Sequence, residues 1–95
     1  MTVFNMMEIL AKEILDRHWD HLGMPCSCAT CRNDVLALLL NALPPRYVST
    51  EKGQMFVKAA ALNEQFRVDL LQELYRAARA VAARPSHPLA GENGA

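Results

Sequence analysis

Apolar residues recur at helical spacing near the start of the chain. Val3, Met7, Leu10, Ile14, His18 and Leu22 fall on one face, and Phe4, Ala11 and Leu15 broaden it. Glu8, Lys12, Glu13, Asp16, Arg17 and Asp20 form the wet side, with Glu8 and Lys12 as a favourable i,i+4 pair. This pattern predicts a helix over residues 3–22, stopped by Gly23 and closed off by Pro25. A second helix is predicted from a Thr30 cap to about Leu43, where Pro44 and Pro45 end it. From Val35 to Leu40 it is apolar on every face, which calls for central burial or a subunit interface. Arg46 to Ser49 reads as an extended connector. From Thr50 to about Ala83 helical spacing returns through Phe56, Ala60, Leu62, Phe66, Leu70, Leu74, Ala77 and Val81. Gly53 and the Leu62–Asn63 step are the candidate interruptions, so this stretch predicts one long helix or two. Arg84 to Pro88 is a kinked exit. The expected organisation is one domain over residues 1–88 with a flexible tail over 89–95, all-α, with three to four helices around a cysteine loop.

Composition narrows the function. The 95 residues are 52% hydrophobic and 21% charged, the balance of a globular chain. Ten basic and ten acidic residues cancel, so there is no electrostatic footprint for a nucleic-acid polymer or an anionic membrane surface. Nothing repels one copy from another either. Together with the apolar surplus of residues 35–43, this predicts a homodimer. No apolar run is long enough for membrane insertion, and no secretory signal is evident, so a cytoplasmic location is expected.

The three cysteines, Cys26, Cys28 and Cys31, lie within six residues. An odd, tightly spaced set is a poor disulfide framework. It reads as a metal knuckle, as a redox thiol, or as small buried apolar residues. C-x-C-x-x-C places three soft ligands on a short loop, suited to zinc or an iron–sulfur cluster. The third cysteine opens a helix whose N-terminus favours thiolate charge. A fourth ligand would come from elsewhere. His87, held between two prolines, is the first candidate, with His21 and Asp34 as alternatives. His18, on the apolar stripe, reads better as a packed histidine. Nucleophile elbows, H-E-x-x-H and Gly-rich phosphate loops do not occur, so a non-enzyme is expected.

A specific order of motifs runs along the chain. It comprises Asp16-Arg17-His18-Trp19, the cysteine segment 26–31, Asn33-Asp34-Val35-Leu36-Ala37-Leu38, Leu43-Pro44-Pro45-Arg46-Tyr47-Val48, Lys52-Gly53 and Pro85-Ser86-His87. In these motifs the sequence resembles the late competence development protein ComFB family over roughly residues 5–88. The resemblance implies a small, intertwined helical homodimer holding zinc through Cys26, Cys28 and Cys31. Relatives supply a further cysteine after the last helix, where this chain has His87 instead. Some relatives outside competence systems are receptors for cyclic dinucleotides, notably cyclic di-GMP.

The resemblance therefore implies a zinc-binding regulatory homodimer that receives a cyclic dinucleotide and signals to a protein partner. The alternative is an adaptor dimer in a competence-related pathway, with zinc and no small ligand. The ligand-binding candidates are Arg46 and Lys52 for phosphates, Tyr47 or Arg32 for stacking, and Asp34 to accept from the guanine N1 and N2 donors. The expected docking place is where the second helix begins beside the Arg46-Tyr47 connector, with the dimer as a further way of bringing the two together.

Overall fold

The structure is a computed structural model that describes residues 2–85. The predicted tail and His87 lie outside the described residues. Among the described residues the fold has four helices and one minimal ladder: β1 Phe4–Asn5, α1 Met6–His18, a 3-10 turn Trp19–His21, α2 Ala29–Ala42, β2 Tyr47–Val48, α3 Glu51–Ala60 and α4 Glu64–Ala83. The all-α expectation holds, with two two-residue strands added.

The first helix starts three residues later than its periodicity suggests. Val3 is exposed because the chain is still extended there, and Phe4 and Asn5 pair antiparallel with Val48 and Tyr47. Asn5 is the hinge of this arrangement. Its Oδ1 accepts from the Met7 N–H at 3.1 Å, capping α1, and from the Arg46 N–H at 2.8 Å. The Met6 N–H also donates to the Arg46 carbonyl at 2.7 Å. Asn5→Ala is expected to cost about 1–2 kcal/mol in urea unfolding, since one change removes a cap and the anchor of the connector. At its other end α1 tightens into the 3-10 turn, and Gly23 then takes a left-handed φ of 65° that turns the chain toward the cysteine loop.

Residues 50–83 form two helices, and the break falls at Asn63. Its side chain accepts from the Phe66 N–H at 3.1 Å, and it takes an extended backbone as N-cap of α4. Asparagine satisfies an orphan donor at a cap better than it fits a helix interior. Gly53 interrupts nothing. It sits in the first turn of α3, where its N–H donates to Thr50 Oγ1 at 3.0 Å and where a Cβ would press on Thr50 Oγ1 and merely touch Val48.

The core joins Met7, Leu10, Ala11, Ile14 and Leu15 of α1 with Trp19, with Val35 and Leu39 of α2, and with Leu70, Leu74, Ala77, Ala78 and Val81 of α4. α2 packs most extensively on α4 and next on α1. Arg46, just beyond α2, stacks on Phe66 in the first turn of α4, 5.1 Å from the ring centroid. Since α2 also packs along α4, the last helix runs back beside α2, and its final turns return toward the end where α2 begins. α2 is less overloaded than its composition suggests. Val35 and Leu39 are buried, Leu36 and Leu40 half-buried, and Leu38 is 42% exposed. Highly exposed apolar side chains also stand on α3, none of whose residues is buried: Met55 is 70% and Phe56 67% exposed. No helix among the described residues is long and apolar enough to cross a membrane.

Candidate functional site

The loop after Gly23 delivers the three cysteines to the start of α2. Cys28, rather than the predicted Thr30, is the N-cap. Its backbone is extended, and its Sγ accepts from the Cys31 N–H at 3.5 Å. A sulfur at this position reaches the third helical amide while the chain is still turning, so the helix begins at Ala29 and Thr30 falls inside it. Cys31 then lies in the first turn, 1% exposed, with Cys26 half-buried and Cys28 exposed.

The three Sγ atoms lie within 4.8 Å of one another. In a tetrahedral zinc site with Zn–S near 2.3 Å the sulfurs would stand about 3.8 Å apart. The triad therefore needs only small side-chain adjustments to hold an ion, and the donor set is the soft one zinc prefers. Burial, together with the neighbouring Cys26 and Cys28 thiols, pushes the Cys31 thiol up to about 12. Without a metal Cys31 stays protonated at neutral pH, so metal uptake must displace its proton. Zinc added to the metal-free chain at pH 7 in weak buffer is expected to release protons, the Cys31 proton among them, as read with a pH indicator. Acidification should in turn weaken metal binding.

The site is fastened to α1 by Arg32. Its guanidinium pairs with the Asp16 carboxylate and lies over the buried Trp19 ring, 4.8 Å from the centroid. Trp19, in the 3-10 turn, and Asp16 were not legible as its partners, because both lie far from Arg32 in sequence.

The remaining candidates are distributed as follows. His21 and Asp34 do not join the thiol cluster. Asp34 is half-buried and engaged, and His18 is half-buried with its ring edge toward His21. Tyr47 and Lys52 are exposed. Arg46 lines a small cleft of about 150 Å³ with Pro44, Phe66 and Asp69. Arg32 is held at Asp16, near the end of α1, whereas Arg46 is held at Asn5, just before its start. At 1.5 Å per residue these anchors are about 16 Å apart. One chain thus does not gather Arg32 and Asp34 with Arg46, Tyr47 and Lys52 where the second helix begins. The connector follows the far end of α2.

These features define a small helical module whose second helix is capped by a thiol cluster able to hold a metal ion. Residues 4–85 match the model of the family described as late competence development protein ComFB, and the chain belongs to that family. It is similar to competence protein ComFB of Bacillus subtilis (strain 168), with 43% identity over 82 residues, covering 86% of this chain and 84% of the relative. It is also similar to the solved structure of the late competence protein ComFB from Bacillus subtilis. The TM-score is 0.79 at 41% identity, covering 90% of this chain and 96% of that one.

Proposed function

We infer that this protein acts by binding rather than catalysis, as a zinc-stabilised homodimer in the cytoplasm that passes its state to a protein partner. The observation that carries this reading is the thiol triad at the head of α2, close enough to share one ion. His87 is the proposed fourth ligand. The final turns of α4 return toward the start of α2, and His87 follows Pro85 by two residues. A tetrahedral Cys₃His site of this kind is structural and would tie the end of the chain to the cysteine loop. Elemental analysis of protein purified under reducing conditions is expected to give one zinc per chain, and protein without stoichiometric metal would refute it. Full zinc affinity in His87→Ala would move the fourth ligand to another group.

The homodimer is supported by α3. Ten residues make too short a helix to be stable alone in water, and this one packs on its own core only through the half-buried Val57, with no residue fully buried. Met55 and Phe56 are exposed on α3, and just beyond it Leu62, 81% exposed, lines a groove of about 350 Å³ with Leu10, Ile14 and Leu70. A second copy, unopposed by net charge, covers this surface in the proposed assembly.

A cyclic dinucleotide, cyclic di-GMP first, is the proposed ligand. The support is the ligand class that the family resemblance implies, together with Arg46 exposed at a cleft beside the rigid Pro44-Pro45 turn. Because Arg32 and Asp34 lie far from Arg46, Tyr47 and Lys52 within one chain, both groups would reach one ligand only from two copies. Calorimetry with the zinc-loaded dimer tests this, with Arg46→Ala expected to weaken binding roughly tenfold. If neither cyclic di-GMP nor cyclic di-AMP gives heat at high micromolar concentration, the competence-related adaptor dimer replaces the receptor.

A further inference from the structure

We propose that Cys28 and Cys31 are a reversible redox pair through which a peroxide opens the metal site. The inference rests on the metal-binding reading above and adds a form of regulation to that same site. The two cysteines have unequal surroundings, as such a pair requires. Cys28 is exposed at the positive end of α2, whereas Cys31 is buried one turn further on. An exposed sulfur at a helix N-terminus is open to attack from solvent. The sulfur behind it is shielded from solvent oxidants, yet stands within 4.8 Å of the first. Cys26 is half-buried and precedes the helix, outside this C-x-x-C unit.

The chemistry balances with a peroxide as the two-electron oxidant. The Cys28 thiolate attacks one peroxide oxygen. An S–O bond forms as the O–O bond breaks, giving a sulfenic acid and hydroxide. The Cys31 sulfur, as the metal-held thiolate or after that hydroxide has removed its proton, then attacks the Cys28 sulfur, forming the S–S bond and expelling the second oxygen as hydroxide. Two thiolates have lost two electrons and the peroxide has gained them. The loop keeps one thiolate, Cys26, too few donors to retain zinc tightly. A dithiol reductant reverses the sequence by exchange.

The test uses zinc-loaded protein, freed of reductant and treated with hydrogen peroxide. A chromogenic chelator reports released zinc, and alkylation followed by mass spectrometry reports each cysteine. The expected result is that free thiols fall from three to one per chain, that zinc is released in step, and that peptide mapping finds Cys28 joined to Cys31 with Cys26 still alkylated. Dithiothreitol plus zinc should restore the starting state. Cys26→Ser should still form the disulfide, and Cys31→Ser should accumulate a sulfenic acid at residue 28 that a dimedone probe traps. Unchanged thiols, a disulfide through Cys26, or oxidation running on to irreversible sulfinic acid would each overturn the proposal. Protein that carries no metal but forms the Cys28–Cys31 disulfide would sustain the redox pair and refute the zinc reading alone. Bound zinc with inert thiols would do the reverse.

Discussion

Replacing Cys31 with serine is expected to abolish the proposed metal binding and to lower stability by about 3–5 kcal/mol, which in a domain of this size lowers Tm by roughly 15 °C or more. Cys31 is 1% exposed at the first turn of α2, beside the buried core of α2 and α4. Its loss therefore acts at the point where the cysteine loop enters the fold, and not at a solvent-facing edge. Serine would also leave a hydroxyl in a buried place, so Cys31→Ala is the necessary companion. If metal loss is the cause, both variants melt close to the wild type treated with a strong chelator, and chelator no longer affects either of them. Thermal unfolding followed by circular dichroism, with and without chelator, checks this. A wild-type protein whose melting is the same in both conditions would contradict it.

Phe56→Glu is expected to turn a dimer into a monomer while leaving the core intact. Phe56 is 67% exposed on a helix without buried residues, so the carboxylate is tolerated in the isolated chain and costly only in an interface. Burying one phenylalanine contributes about 1.5–3 kcal/mol, and a two-fold interface counts it twice. Dimer affinity should fall on the order of a hundred- to ten-thousand-fold, to a monomer by light scattering at micromolar concentration. Leu39→Glu is the contrasting control. Leu39 is fully buried in the core, so that change should unfold the chain rather than dissociate it. Wild-type protein that is already monomeric would remove the basis of the expectation.

The parts of the fold that were legible in the sequence are those set by local chemistry. The stripe from Met7 to Leu15 and that from Leu70 to Val81 lie in the core as their spacing requires. The proline pair ends α2, and the cysteine spacing brings three sulfurs together. Harder to see were features in which one side chain serves two segments. Asn5 precedes an apolar-periodic run, a recognisable cap signal, but its second bond reaches Arg46, 41 residues away. The pairing of Arg32 with Asp16 and Trp19 was hidden as well, because it depends on how the cysteine loop folds back. Exposed apolar surface was expected on α2, where Leu38 is 42% exposed, and the more exposed Met55 and Phe56 of α3 add to it. Periodicity shows which face of a helix is apolar but does not say whether another part of the chain will cover it. The Asn63 cap also resets the helical phase, so Phe56 and Leu62 leave the face that Leu70 and Leu74 keep.

The packing of α4 also bears on the order of events during synthesis. The first two helices leave the ribosome with Met7, Leu10, Val35 and Leu39 facing a place that the last helix will fill. Domains fold as units as the chain emerges N-terminus first, and here the unit is not complete until Leu70 to Val81 have been made. A chain cut short after α3 would display an open apolar face, so an interrupted message would yield a product open to proteolysis and aggregation rather than a smaller working domain.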